Sequence, residues 1–284
     1  MELLRNSRTT DSPSAAKSAE FLFRLVPRTA ACALLVKRLC LIPVLLGAVA
    51  CSHSERPEVT VAAAANLTEV FQQLGPIFEK QTGIHPVFSF ASTAQLARQI
   101  ENGAPFDVIA AADAQHVEEL DRKGLLLTGS RVPYATGVLA LWIPPGRTAV
   151  ASMHDLISPA IRVIAIAKPE LAPYGHAAVE ALHRMGIWDQ VESKVVYAEN
   201  IRMAKQYGAT GNADAVFTAY SLVVKEAGTV IPVDENLHQP ISQELGIMAR
   251  TQNRDAARKF VAFLLGSEGH AVLSSFGYKV RANR

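Results

Sequence analysis

The sequence predicts an α/β protein, and three observations carry the prediction. Strand-like and helix-like segments alternate from residue 58 onward, the pattern of mostly parallel sheets flanked by helices. Two strand-to-helix turns open on small polar residues. One runs Val59-Thr60-Val61, then Ala62-Ala63-Ala64-Ala65-Asn66-Leu67-Thr68-Glu69; the other runs Phe88-Ser89-Phe90-Ala91-Ser92-Thr93-Ala94-Gln95. Of the 284 residues, 49% are hydrophobic and 19% charged, a globular balance with length for one large or two medium cores.

The elements follow in order. Leu67, Val70, Phe71, Leu74, Ile77 and Phe78 recur at helical spacing, interrupted by Gly75-Pro76 and stopped at Gly83, as a C-terminal glycine does. Ile84 to Phe90 alternates as a strand. Leu96, Ala97 and Ile100 give a second helix that Gly103 and Pro105 stop. Asp107 to Ala112 is a buried strand, and Asp113 caps a helix through Leu120. Thr136 to Ile143 reads as one strand ending at Pro144-Pro145-Gly146, and Ile161 to Ile166 as another. A helix runs from His176 to about Met185. Val195-Val196-Tyr197 is a short strand before Asn200, which caps a helix of Ile201 to Tyr207. Asp214 to Phe217 and residues 240–249 are strands, and 252–276 form a closing helical region.

The first 50 residues stand apart. Residues 1–38 hold seven Lys/Arg and three Asp/Glu, a balance of +4, and 39–50 are uncharged, so against the formal total of +2 the remainder is slightly acidic at −2. A body without a basic stripe excludes nucleic acid as its main partner. Lys37-Arg38, the apolar run 39–50 and Ala48-Val49-Ala50 form the three parts of an export signal, and the run is short for a membrane span. All three cysteines, Cys32, Cys40 and Cys51, lie at or before this boundary, which leaves no disulfide framework or cysteine metal site for the body. Cys51 occupies the lipidation position of a bacterial lipoprotein; Ala48-Val49-Ala50 also fits ordinary signal peptidase.

The two helix starts carry the chemistry. Asn66 with Glu69, and Ser92 with Gln95, are capping-box spacings. A helix start presents unpaired N–H groups and the positive end of a dipole, so it suits an anion. Small hydroxyl and amide side chains at two such starts point to an oxyanion site built from neutral donors. Arg98 lies past the cap and faces solvent. Asp107 and Asp113 read as structural caps and interlobe hydrogen-bond acceptors, because a carboxylate beside a bound dianion would repel it. His176 and His183 share a helix, but without cysteine or HExxH they do not make a metal site. There is no GxSxG, P-loop or GxGxxG.

The chain resembles the periplasmic molybdate-binding proteins of ABC transporters. The matching pieces are Ala63-Ala64-Ala65-Asn66-Leu67, Phe90-Ala91-Ser92-Thr93, Leu96-Ala97-Arg98-Gln99-Ile100 and Gly103-Ala104-Pro105-Phe106-Asp107-Val108. After these come Ala112-Asp113, Ala172-Pro173-Tyr174-Gly175, Gly186-Ile187-Trp188-Asp189, Ala198-Glu199-Asn200-Ile201-Arg202 and Gly211-Asn212-Ala213-Asp214. They fall in family order over roughly residues 58–284. The resemblance implies a two-lobed type II periplasmic binding protein with its ligand in the interlobe cleft. Residues 1–50 are then leader, 51–57 linker, 58–134 plus 241–284 one lobe and 135–240 the other.

The resemblance also implies the contacts. Asn66 stands where the family often has serine. The second hydroxyl falls on Ser92-Thr93, with Thr93 as the equivalent of the contacting serine. Tyr174 occupies a contact position, and Ile201 replaces a valine whose backbone N–H meets the anion. Some members supply a tyrosine hydroxyl from a later strand. That region reads Ala219-Tyr220 here, so Asn66 with Tyr174 matches the family's other version. The implied function is capture of molybdate, and also tungstate, for an ABC permease. The protein would be a non-enzymatic, cofactor-free periplasmic monomer that touches the membrane only through a lipid on Cys51. The alternatives are a site for another tetrahedral oxyanion such as sulfate, an extracytoplasmic enzyme on a small anionic substrate, and a sensory module.

Overall fold

Successive residues of a strand face opposite sides of its sheet, and in the first strand both sides are apolar. In β1 (Glu58–Ala64), Val61 and Ala63 enter one hydrophobic cluster and Ala62 enters another. That pattern requires helices on both faces, and the fold supplies them. The molecule is seen in a computed structural model that describes residues 56–280; the expected leader and Cys51 lie outside the described residues.

After β1 come a 3-10 turn (Ala65–Leu67), α1 (Thr68–Thr82), β2 (His85–Ala91), α2 (Thr93–Glu101), β3 (Val108–Ala110), α3 (Gln115–Arg122) and β4 (Val132–Gly137). Next are β5 (Leu139–Ile143), β6 (Ile164–Ala167), α4 (Pro173–Arg184), α5 (Trp188–Val191), β7 (Val195–Ala198), α6 (Ile201–Ala209), β8 (Ala215–Ala219), a 3-10 turn (Tyr220–Leu222) and β9 (Thr229–Pro232). The chain closes with β10 (Ile241–Ile247), α7 (Arg254–Leu265) and α8 (Ser267–Ser275). Two five-stranded sheets result, in the orders β2-β1-β3-β10-β4 and β7-β6-β8-β5-β9. In the first, β10 alone runs against the other four strands; in the second, β5 does so. The fold is therefore α/β and two-lobed, each lobe a mostly parallel sheet flanked by helices.

The single strand expected over Thr136–Ile143 is in fact two. β4 pairs with β10 in the first sheet, and β5 pairs with β8 and β9 in the second. The apolar run is continuous across Val138, so nothing in its periodicity marks the passage between lobes. Gly75-Pro76 does not interrupt the first helix: α1 continues through Pro76 to Thr82 and, as expected, terminates at Gly83 with φ 69°. Burial of Phe71 and Phe78 holds that helix on the sheet. Their rings meet Phe260 of α7 at centroid distances of 5.7 and 5.4 Å, and each buried ring contributes about 1.5–3 kcal/mol.

Two buried aspartates tie strands together within their own lobes. Asp107, just before β3, accepts the Thr60 N–H of β1 at 2.8 Å and the Thr251 hydroxyl at 2.5 Å. Asp214, just before β8, accepts the Arg162 and Val163 N–H groups at 2.9 and 3.0 Å and the Arg147 guanidinium at 2.9 Å. Asp107 is structural as expected, but among the described residues it makes no interlobe bond; its partners belong to the first sheet and its connections.

Candidate functional site

The four predicted helix-start regions converge between the lobes. Asn66, Ser92, Thr93, Tyr174 and Ile201 are all at most 3% exposed. The lobes touch here directly: the Ala94 N–H, in the first turn of α2, donates across to the Leu171 carbonyl at 3.3 Å. Leu171 leads into α4, and α6 packs against the Ala65–Leu67 turn. A groove of about 480 Å³ lined by Ala112, Asp113, His116, Glu170, Ala172 and Ser242 lies alongside.

Each start is built differently. Ser92 precedes α2 in extended backbone and makes one half of the expected capping box, its N–H donating to Gln95 Oε1 at 3.2 Å. Its hydroxyl is buried and reaches no hydrogen-bond partner. Thr93 Oγ1 accepts the Ala112 N–H at 3.1 Å. A hydroxyl that already accepts still has its proton to give, so Thr93 is oriented as a donor. Tyr174 is the second residue of α4, placed there by Pro173 at the helix start, a position that suits proline's missing N–H. Gly175 lets this turn sit on the end of β6, since a Cβ there would stand 2.0 Å from the Ala167 carbonyl oxygen. Asn200 caps α6 as predicted, its Oδ1 accepting the Met203 N–H at 2.9 Å. The first-turn N–H groups of Ile201 and Arg202 have no carbonyl four residues back inside the helix.

Asn66 departs from its expected role. It does not form a capping box with Glu69: α1 begins after Leu67 without a side-chain cap, and Asn66 sits within the preceding 3-10 turn. Its Nδ2 donates instead to Gln243 Oε1 at 3.0 Å and to the Tyr278 hydroxyl at 2.7 Å. The amide is claimed by long-range partners because the turn carries it inward, to 1% exposure.

Those partners are the residues that sequence reasoning missed. Gln243, fully buried on β10, accepts from Asn66 and from the Tyr134 hydroxyl (2.7 Å) and donates Nε2–H to the Tyr174 hydroxyl at 2.8 Å. Tyr278 donates to the Asn66 carbonyl at 3.0 Å, and Ser221, from the second lobe, donates to the same carbonyl at 3.0 Å. Thr218 Oγ1, on β8, is a further buried hydroxyl without a partner. Gln243 stands between Ser242 and Glu244 in β10, so nothing in the local sequence marked it as buried; a buried polar side chain is retained only where it is satisfied.

The electrostatics are those of neutral donors. Burial pushes the phenols of Tyr134 and Tyr174 well above their ordinary value and that of Tyr278 up to about 12, so all three keep their protons. Among the described residues, every hydrogen-bond partner of the Asn66, Thr93 and Tyr174 side chains is uncharged. Arg98 is exposed as expected, and His176 and His183 are exposed as well. Asp113 accepts the His116 N–H at 2.8 Å and the His116 ring at 2.9 Å, capping α3 within its own lobe and forming no interlobe bond. No group of three or more His, Cys, Asp or Glu able to hold a metal occurs among the described residues. Such a site can desolvate and hold an anion without neutralising it.

Two α/β lobes meeting over buried, uncharged donors at helix starts define a cleft-type solute-binding protein. Residues 59–279 match the family model described as bacterial extracellular solute-binding protein, and the chain belongs to that family. The molybdate-binding protein ModA of Azotobacter vinelandii is 37% identical over 236 residues, covering 82% of this chain and 93% of that one. ModA of Rhodobacter capsulatus is 36% identical over 224 residues, 78% of this chain and 88% of its own. Among solved structures, the Azotobacter vinelandii periplasmic molybdate-binding protein matches with a TM-score of 0.75 at 32% identity, over 79% of this chain and 100% of that one. The sulfate-binding protein SubI of Mycobacterium tuberculosis shares the fold, with a TM-score of 0.64 at 15% identity over 79% of this chain and 87% of its own. The chain is a binding protein and not an enzyme.

Proposed function

We propose that this protein captures molybdate outside the cytoplasm for an ABC importer. The observation that carries the reading is the 37% identity, over 93% of its length, to a molybdate-binding protein. The buried donor set is chemically suited to that cargo. A tetrahedral dianion loses its hydration on entering a sealed cleft, at a cost that only restored hydrogen bonds offset. The Ser92, Thr93 and Tyr174 hydroxyls, the Ile201 N–H and Asn66 are the donors we assign. Hydrogen bonds to a charged acceptor contribute on the order of 1.5–3 kcal/mol each, and several together drive tight binding after the costs of association. Uncharged donors also keep release feasible, which delivery to a permease requires. Because the lobes supply donors jointly, the anion favours the closed arrangement by differential affinity.

We extend the proposal to tungstate, which shares the charge and tetrahedral geometry, to action as a monomer without a resident cofactor, and to a periplasmic location with a lipid on Cys51 as tether. No helix among the described residues is long and apolar enough to cross a membrane. Titration calorimetry with molybdate, tungstate, sulfate and phosphate in parallel tests the reading. Tight one-to-one binding of molybdate and tungstate with sulfate far weaker is the expected outcome. Preference for sulfate or phosphate would assign the protein to another import system.

A further inference from the structure

We propose that Gln243 is the positioning residue of the oxyanion site: its amide fixes the hydrogen-bond polarity of Asn66 and Tyr174, and so decides which protons face the anion. The inference rests on the oxyanion-binding reading and deepens it.

The backbone places Gln243 for this task. Along the β4–β10 ladder, Gln243 pairs with Ala135 and Glu244 with Pro133, so Tyr134 is an extra residue on β4. Such a bulge re-aims side chains, and Pro133 has no N–H to give to a regular ladder. Tyr134 and Gln243 consequently meet, hydroxyl to amide oxygen, at 2.7 Å. The next residue, Glu244, is drawn the other way into an ion pair with Arg131 at 2.5 Å. The strand thus separates a neutral reader from its charged neighbour. Gly137, three residues past Tyr134, clears the space. A Cβ there would stand 2.0 Å from the Tyr174 hydroxyl and 2.5 Å from Gln243 Nε2.

Polarity does the rest. The Gln243 oxygen accepts from Asn66 and Tyr134, and its N–H donates to Tyr174. The Tyr174 oxygen is therefore an acceptor toward Gln243, and its single proton must point elsewhere. Its alternatives are the neighbouring Tyr278 hydroxyl and a bound oxyanion. Asn66 spends both amide protons on Gln243 and Tyr278, which holds its turn in place. Gln243 also bridges the lobes, since Asn66 belongs to the first and Tyr174 to the second.

Two variants test the assignment. Q243L keeps the volume and removes both polarities. Q243E keeps the shape but is acceptor-only when ionised; when protonated it regains one donor and one acceptor. Molybdate affinity is measured by calorimetry from about pH 5.5 to about pH 8, with ligand-free thermal unfolding and circular dichroism as fold controls. We expect Q243L to lose about tenfold or more in affinity. We expect Q243E to bind about a hundredfold more weakly at the alkaline end and to recover by about tenfold toward the acid end, against less than about threefold change in the wild type. The loss in the uncharged Q243L separates lost polarity from the repulsion that a new carboxylate adds in Q243E. Folded variants that bind within about threefold of wild type throughout would overturn the proposal and leave the transport reading intact. If Q243L does not fold, the pH profile of Q243E decides alone, and a flat profile overturns the proposal. A wild-type protein that binds no oxyanion removes the functional reading and this proposal with it.

Discussion

Gly137→Ala puts one methyl group where the two lobes are wired together. The added Cβ would lie 2.0 Å from the Tyr174 hydroxyl, 2.5 Å from Gln243 Nε2 and 2.8 Å from Tyr174 Cζ. Ordinary carbon contacts fall near 3.5–4.0 Å, so the ring has to retreat by more than about 1 Å, which breaks the 2.8 Å Gln243–Tyr174 bond. Both groups are fully or almost fully buried, and each costs about 1–3 kcal/mol when left unsatisfied. A total of about 2–4 kcal/mol corresponds to an affinity loss of about 30- to 1,000-fold. The penalty falls on the arrangement with Tyr174 against the β4–β10 strands, so binding suffers more than folding. Calorimetry with molybdate reads the affinity, and ligand-free thermal unfolding reads the fold. A variant that binds within about threefold of wild type would refute the reasoning, because the methyl group would then have been accommodated without moving Tyr174.

Three further outcomes follow from single residues. Ser92→Ala removes a buried hydroxyl without a partner, so ligand-free stability is unchanged or higher while molybdate affinity falls by about ten- to 150-fold; unfolding curves and calorimetry on one preparation separate the two. Asn200→Ala deletes the cap of α6 and lowers stability by about 1 kcal/mol, read as a shift in the denaturant midpoint. The His116 pKa is raised above 6.5, chiefly by the ring's hydrogen bond to Asp113. A raised pKa means that the protonated ring stabilises the fold fully below its unfolded value and ceases to do so as pH rises through the folded value. The difference in Tm between wild type and His116→Asn is therefore largest in acid and narrows on the alkaline side; a difference independent of pH would show that the pair does not titrate as described.

Much of the architecture was legible because periodicity reports burial. The strand-like run Val59-Thr60-Val61, the helical spacing from Val70 to Phe78 and the glycine after Thr82 correspond to β1, α1 and its left-handed cap. Asn200 and Asp113 serve as the caps their positions suggested. Topological facts were not legible. Val138 carries no mark of the change of sheet, because both flanking strands are apolar and extended. Nor did the short edge strand β9 and the one-turn helix α5 stand out from loop sequence. For the site, the segments were visible and the wiring was not. Asn66 has the spacing of a cap, yet its amide reaches Gln243 and Tyr278, 177 and 212 residues away in sequence. Local pattern contains no term for such a bond. Gln243 itself stands between Ser242 and Glu244, where nothing local marks it as buried.

The odd strand in each sheet has a consequence for the order of assembly. β5 to β9 are contiguous in the chain, so the second sheet has all its strands once Pro232 has been made. The first sheet does not. Its β10 lies between β3 and β4 and is synthesised after the whole of the other lobe. Until Ile247 emerges, β3 and β4 face each other across a missing strand, and the edge each turns toward it is unpaired. Contacts of such long sequence separation are slow to form, and unpaired strand edges invite association with other chains. The lobe that begins at the N-terminus is thus the last to be completed, and a chain stopped short of β10 would hold one finished lobe beside an open, aggregation-prone sheet.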